Sequence, residues 1–274
     1  MPFPLAHPAA VLPLRRCCPR NLSFPALIIG SLTPDVGYCF ERFGGDRFSH
    51  SLVGSVAFCL PAGVAMLLVL YAIREPLAAA LPSPHRDALL PLCWKTPHIP
   101  AWVTGVSLLI GAWTHIGLDL LTRESDWLLY QLPGIHDELA AIERQHVRVY
   151  RLLWYALSLV GLAWLTLTYL HFLKRTTGSR RIYSARNRSR YFLWGIVMVA
   201  PYVTVVPLVV SFQQDLPFFR AVRYFVLESM QVYLVAVTTL VVVIGFVVKA
   251  RRKQSKRRRT GRRASRSEFD VNRP

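Results

Sequence analysis

The chain has 274 residues, 53% of them hydrophobic, and sets 33 Lys and Arg against 15 Asp and Glu, a formal net charge of +18. Its apolar residues are gathered into runs too long for a soluble protein of one or two domains, which excludes that class. The five cysteines (Cys17, Cys18, Cys39, Cys59 and Cys93) show no CxxC spacing and no histidine at zinc-finger distance. They are therefore read as small, mostly buried hydrophobes, and neither a disulfide framework nor a structural zinc finger is expected.

In chain order, "MPFPLAHPAAVLPLRR" lacks the basic start and apolar run of a secretory signal peptide, so the membrane segments are expected to stay. "LSFPALIIGSLTPDVGYCF" (22–40) offers only about a dozen apolar residues before Thr33-Pro34-Asp35, a length that suits a re-entrant or interfacial helix better than a crossing. Five later stretches reach the roughly 20 residues a bilayer-spanning helix needs: 52–73, 101–121, 151–173, 191–211 and 229–248. The fourth contains Pro201 and Pro207, which should kink it, and the fifth is apolar all round. A closed barrel needs alternating strands that this chain lacks. The expected fold is all-α: a polytopic membrane helical bundle of about five transmembrane helices, with short N-terminal interfacial or re-entrant helices.

The positive charge is concentrated in two segments. "KARRKQSKRRRTGRRASR" (249–266) holds eleven Lys or Arg and "KRTTGSRRIYSARNRSR" (174–190) holds seven, which together equal the net charge. Basic residues beside membrane helices are retained on the cytoplasmic side. With five crossings, 74–100, 174–190 and the C-terminus are expected inside, and the N-terminal 51 residues, 122–150 and 212–228 outside. The acid-rich 122–150 stretch agrees, whereas Arg15, Arg16 and Arg20 would then stand outside near the membrane, against the rule. The 249–274 tail has the composition of a disordered segment, and its expected partner is the anionic inner leaflet rather than nucleic acid, since no aromatic residues are interleaved for base stacking.

His115 and Asp119 in "WTHIGLDLL" lie one helical turn apart and share a face near the end of the second span. Ionisable residues in a membrane span are costly and point to function, although the pair also has a plain reading as a mutual hydrogen bond or as residues already in the headgroup region. Three further groups lie on the same predicted side: His7 in "PLAHPAAVLP", Asp35 in "GSLTPDVGY" and His50 in "RFSHSLVG". Three imidazoles and two carboxylates can thus converge at one membrane face, and these are the donors that zinc and similar divalent ions accept. Pro34 should place Asp35 at a turn or short-helix end, and His50, beside Ser49, should sit at the start of the first span. By contrast, His85 and His98 are read as solvated residues of a Pro-rich loop, and His171 as an interfacial residue. His136, Asp137, Glu138, Glu143 and His146 are read as the wet face of an amphipathic helix that could instead cover the site or accept a proton there.

The motifs "MPFPLAHPAAVLPLRR", "LIIGSLTPDVGY", "FSHSLVGSVAFCLPAGVAMLLVL" and "THIGLDLL…DWLLYQLP" resemble, in order and over roughly residues 1–170, the bacterial membrane-protein family called domain of unknown function 4184. That family is similar to predicted membrane-bound metal-dependent hydrolases and, more distantly, to the all-helical zinc-dependent phospholipase C and nuclease group. The resemblance implies metal-binding roles for His7, Asp35, His50, His115 and Asp119. One departure stands out: where the family pattern passes through a threonine to another histidine, Thr122 is followed here by Arg123, which removes one ligand.

The expectation is an integral membrane protein, multi-pass in the cell membrane, acting as a metal-dependent hydrolase on a phosphoester or lipid-linked substrate at the outer face. A divalent metal, zinc by donor type, is the expected cofactor, with Asp35 as ligand or as the base that takes a proton from water. The alternative is a non-enzymatic protein whose polar cluster is structural or braces the fold with metal. A transporter is the weaker alternative, because no internal repeat is visible and the polar groups sit at one face instead of the midplane. The expected organisation is a metal-site region (1–173), a basic loop (174–190), two further helices (191–248) and a basic tail (249–274).

Overall fold

The computed structural model describes residues 4–18, 21–38, 44–94, 99–122, 138–142, 145–177, 188–197, 199, 239–248, 250–251 and 254. Among them the chain is helical apart from one small hairpin. A 3-10 helix, Pro4–Cys17, opens the chain, followed by α1 (Phe24–Gly30), α2 (Thr33–Val36) and α3 (Gly45–Ser49). The long helices are α4 (Leu52–Ala80), α6 (Ala101–Thr122) and α7 (Val149–Thr177), with the short α5 (His85–Trp94) between the first two. Helices also run over 188–197 and Thr239–Val248.

Three helices are long and apolar enough to cross a membrane: Leu52–Ala80, Ala101–Thr122 and Leu152–Thr176. They coincide with the first three expected spans. Most of the fourth and fifth expected spans, with Pro201 and Pro207, lies outside the described residues, as do Arg20, Cys39, His98, Arg123, His136, Asp137 and Glu143. Phe24–Val36 is apolar but shorter than a crossing requires, in keeping with the reading of 22–40.

The chain forms two compact units, 1–68 with 97–175 and 69–96 with 176–274. In the first unit, α1 lies directly on α6. A Cβ added to Gly30 would strike the Leu108 carbonyl, and one added to Gly111 would strike the Leu27 carbonyl, so the two backbones touch because both positions lack a side chain. Small residues serve this purpose between helices in lipid, where van der Waals packing rather than water exclusion drives association. Leu27 and Leu108 are fully buried in this contact. The Ser23 backbone N–H donates to Ser107 Oγ at 2.9 Å, while the Ser31 carbonyl meets His115 at 2.8 Å, so α1 and α6 run in the same direction.

The 3-10 helix runs the other way, along α7. Ala6 lies against Gly161, and Leu12 to Arg16 share a groove with Trp164 and Thr168. Pro4–Cys17 and Phe24–Gly30 therefore run in opposite directions, the first leaving the His7 end and the second returning to it. Arg15 and Arg16, near the end of Pro4–Cys17, lie on the Lys174 side of Gly161 along α7.

α4 begins under a cap, the Ser51 hydroxyl accepting from the Gly54 N–H at 2.9 Å. Its second turn widens to π geometry over Ser55–Cys59, just before Pro61, which has no N–H to return to the preceding turn. The widened turn presents Ser55 Oγ to the Trp113 indole N–H at 3.0 Å, tying α4 to α6.

Three expectations are corrected. Residues 85–94 are a helix and not a loop: Ser83 Oγ donates to the Asp87 carboxylate in its first turn, and that acid favours the helix start. In the second unit the His85 ring is half-buried with its edge to Tyr191, and Tyr191, Trp194 and Arg190 donate to the carbonyls of Ser83, Ala80 and Leu81. Residues 138–142 and 145–148 pair as antiparallel strands, β1 (Glu138–Ile142) with β2 (Gln145–Arg148), and not as an amphipathic helix. The spacing of Glu143 and His146 was the only helical signal there, and no apolar stripe accompanied it. Finally, of the cysteines described, only Cys59 is buried; Cys17 is exposed and Cys18 and Cys93 are partly so, because they fall near helix ends outside the packed α1–α6 layer.

Candidate metal centre

Four separate elements deliver the polar groups. His7 lies in the first half of the 3-10 helix, Asp35 in α2 with Pro34 in its first turn, His50 between α3 and the Ser51 cap of α4, and His115 and Asp119 on one face of α6. All five expected residues come together. His50 Nε2 is 3.4 Å from Asp119 Oδ2, and His115 Nε2 is 3.5 Å from Asp35 Oδ1. His7 Nε2 is 3.8 Å from Asp119 Oδ1, and His115 Nε2 is 3.9 Å from Asp119 Oδ2. The His7 and His115 rings stack with centroids 3.6 Å apart, and the side chains of His7 and His115 are 0% exposed.

The hydrogen bonds around the cluster set the chemistry of two imidazoles. His115 Nδ1 lies 2.8 Å from the Ser31 carbonyl, which can only accept, so Nδ1 carries the proton and, in the neutral ring, Nε2 presents its lone pair. Ser49 Oγ donates its one proton to the Pro34 carbonyl at 2.8 Å, so at 3.1 Å it accepts from His50 Nδ1. His50 Nε2 is then also an acceptor, turned toward Asp119. Fixing the tautomer through the far nitrogen is how ligating histidines are commonly oriented.

The separations are informative. A charged imidazole–carboxylate hydrogen bond is about 2.7–2.9 Å long. Two donors each about 2.0–2.1 Å from a tetrahedral zinc ion lie roughly 3.3–3.4 Å apart. The four distances of 3.4 to 3.9 Å match the second spacing better than the first. Two overlapping sets, His7–Asp35–His115 and His50–His115–Asp119, each bring three donor atoms within 4.8 Å of one another and could hold a metal ion.

The supporting residues were less visible in the sequence. Ser31 acts through its carbonyl, which no side-chain motif announces, and Ser49 through a hydroxyl beside His50. Gly30 and Gly111 set the α1–α6 approach that brings Ser31 to His115, and their signal was a glycine in each of two apolar helices. Tyr38 lies with its ring 5.6 Å from that of His50. Of the remaining polar candidates, His171 is exposed near the Lys174 end of α7, His85 belongs to the second unit, and Glu138 and His146 lie in the hairpin strands.

Neither the curated proteins nor the solved structures contain a significant match to this chain. One protein family does match, over residues 1–261, well beyond the first 170 that carried the resemblance. The chain with this buried His/Asp cluster belongs to the family described as Domain of unknown function (DUF4184).

Proposed function

We propose that the chain is a membrane-embedded, metal-dependent hydrolase that acts on a phosphoester or lipid-linked substrate at the outer membrane face. The observation that carries this reading is the convergence of buried donors: His7–Asp35–His115 and His50–His115–Asp119 each bring three donor atoms within 4.8 Å of one another. The ligands would be drawn from His7, His50, His115 and Asp119, with Asp35 as ligand or base. A bound zinc ion would supply Lewis acidity and lower the pKa of a water molecule to about 7.

The chain's own residues do the rest. Ser31 and Ser49 hold the two imidazoles in the tautomer that offers Nε2. Asp35 stands within 3.5 Å of His115 Nε2, where its carboxylate can take a proton from water attacking a phosphorus or acyl carbon. Asp119 lies one turn before the end of α6, about 4–5 Å along the axis from Thr122, so the cluster sits close to a membrane surface where lipid headgroups reside. If the basic segments 174–190 and 249–266 are cytoplasmic, that surface is the outer one. Arg123 in place of a further histidine removes one possible donor.

A second reading, a structural network, is favoured by one observation: each of the three imidazoles has a carboxylate oxygen within 4 Å. Activity separates the two. Purified protein is offered phosphodiester and acyl-ester lipids with and without added zinc. Hydrolysis that is lost with a chelator, restored by zinc and reduced at least about 100-fold in Asp35→Asn supports the hydrolase, that factor being the scale of general-base catalysis. Metal-loaded protein inert toward the whole panel supports the bracing role.

A further inference from the structure

We propose that the groove between the end of the N-terminal 3-10 helix and α7 binds the phosphate of an anionic phospholipid, from the leaflet at the Lys174 end. The groove encloses about 560 Å³ and is lined by Leu12, Pro13, Arg15, Arg16, Trp164 and Thr168. It is separate from the His/Asp cluster: Thr168 lies seven residues, about 10 Å, along α7 beyond Gly161, which packs against Ala6 beside His7. The inference rests on α7 crossing the bilayer, not on the hydrolase reading.

The charge pattern makes the case. Arg15 and Arg16 are exposed, and neither forms an ion pair among the described residues. The Arg15 guanidinium lies over the Phe24 ring, 5.7 Å from its centroid. Both arginines line the groove beside Trp164 on a helix whose neighbouring Leu159, Val160 and Leu167 are exposed apolar residues, as lipid contact requires. Among the described residues no carboxylate pairs with these two cations, and a phosphate would supply the missing negative charge.

Lipid phosphate is the anion available at that depth. Arg175, seven residues beyond Thr168, shares its face of α7 and is exposed about 10–11 Å further along, with exposed Lys174 beside it, so positive charge also stands at the headgroup level. Among the described residues, no carboxylate lines the groove to meet the ammonium of a zwitterionic headgroup. This selects an anionic lipid, with Leu12, Pro13 and Trp164 against its glycerol and upper acyl chain.

The test uses the full chain in detergent with phosphatidylglycerol or phosphatidylcholine added, read as lipid retained per chain by native mass spectrometry and as thermal shift. Retention of one phosphatidylglycerol in preference to phosphatidylcholine is expected. Arg15→Ala/Arg16→Ala should weaken retention about tenfold or more, and Arg15→Lys/Arg16→Lys by no more than about threefold, since a tenfold loss is the scale of one charged hydrogen bond. Equal retention of both lipids by the wild type overturns the proposal. So does an alanine pair that retains phosphatidylglycerol like the wild type, or a lysine pair that loses as much as the alanine pair. If the alanine pair does not fold, the lipid preference of the wild type and the behaviour of the lysine pair still decide.

Discussion

Replacing Gly111 by Ala should damage the metal centre without touching a ligand. The added Cβ would stand 2.8 Å from the Ser31 backbone nitrogen and meet the Leu27 carbonyl more closely still. The Leu27 carbonyl stands at 2.4 Å and ordinary contact begins at 3.4 Å, so the end of α1 must retreat by about 1.0 Å. The His115 Nδ1 bond to the Ser31 carbonyl, now 2.8 Å, would then stretch to about 3.8 Å, past the usual limit of about 3.2 Å for N–H···O. Loss of an outer-shell partner typically weakens metal binding about 10–100-fold, or about 1.4–2.8 kcal/mol. Forcing the methyl into a packed contact costs about 1–3 kcal/mol of stability besides. Gly117→Ala on the same helix is the control, because nothing lies within 4 Å of its added Cβ. Competition with a chromophoric chelator measures the zinc affinity of both variants in detergent, and thermal unfolding measures their stability. Wild-type affinity in Gly111→Ala, or equal damage in Gly117→Ala, would refute the claim that close α1–α6 contact orients His115.

Two other perturbations probe the surroundings. Ser49→Ala removes the acceptor of His50 Nδ1 and the donor to the Pro34 carbonyl, and should lower zinc affinity about 10–100-fold with the helix content unchanged in circular dichroism; unchanged affinity would show that His50 needs no such orientation. Burial holds the His85 pKa below its ordinary value of about 6.5, so the unfolded chain binds the proton more readily. Stability from this contact is complete above that value and is lost as pH falls through it toward the depressed folded pKa. The hydrogen-exchange protection of 188–197, taken relative to the intrinsic rate at each pH, should therefore fall between pH about 7.5 and about 5.5 in the wild type and not in His85→Phe; equal protection at both pH values would contradict this.

The five site residues were legible because ionisable groups in apolar context are rare, and the charge pattern put all five on one membrane side. Spacing alone paired only His115 with Asp119; His7, Asp35 and His50 needed the topology argument, and the fold joins them through three short elements. What stayed hidden acts through the backbone. Nothing in the sequence marks the Ser31 carbonyl as a partner of His115, and Gly30 and Gly111 are ordinary glycines until their helices are placed together. The pairing of β1 with β2 was hidden for another reason: two polar residues three apart satisfy a helix template, and strand pairing supplies the backbone hydrogen bonds instead.

The central claim is that His7, Asp35, His50, His115 and Asp119 form a metal centre, and metal content tests it most directly. Wild-type protein purified in detergent, washed free of loosely held ions and measured by inductively coupled plasma mass spectrometry, should carry about one divalent ion, zinc by donor type, per chain. His115→Ala and Asp119→Ala, each folded by gel filtration and circular dichroism, should lose it. Wild-type protein that neither retains nor takes up stoichiometric metal, or variants that hold it as firmly as the wild type, would contradict the account.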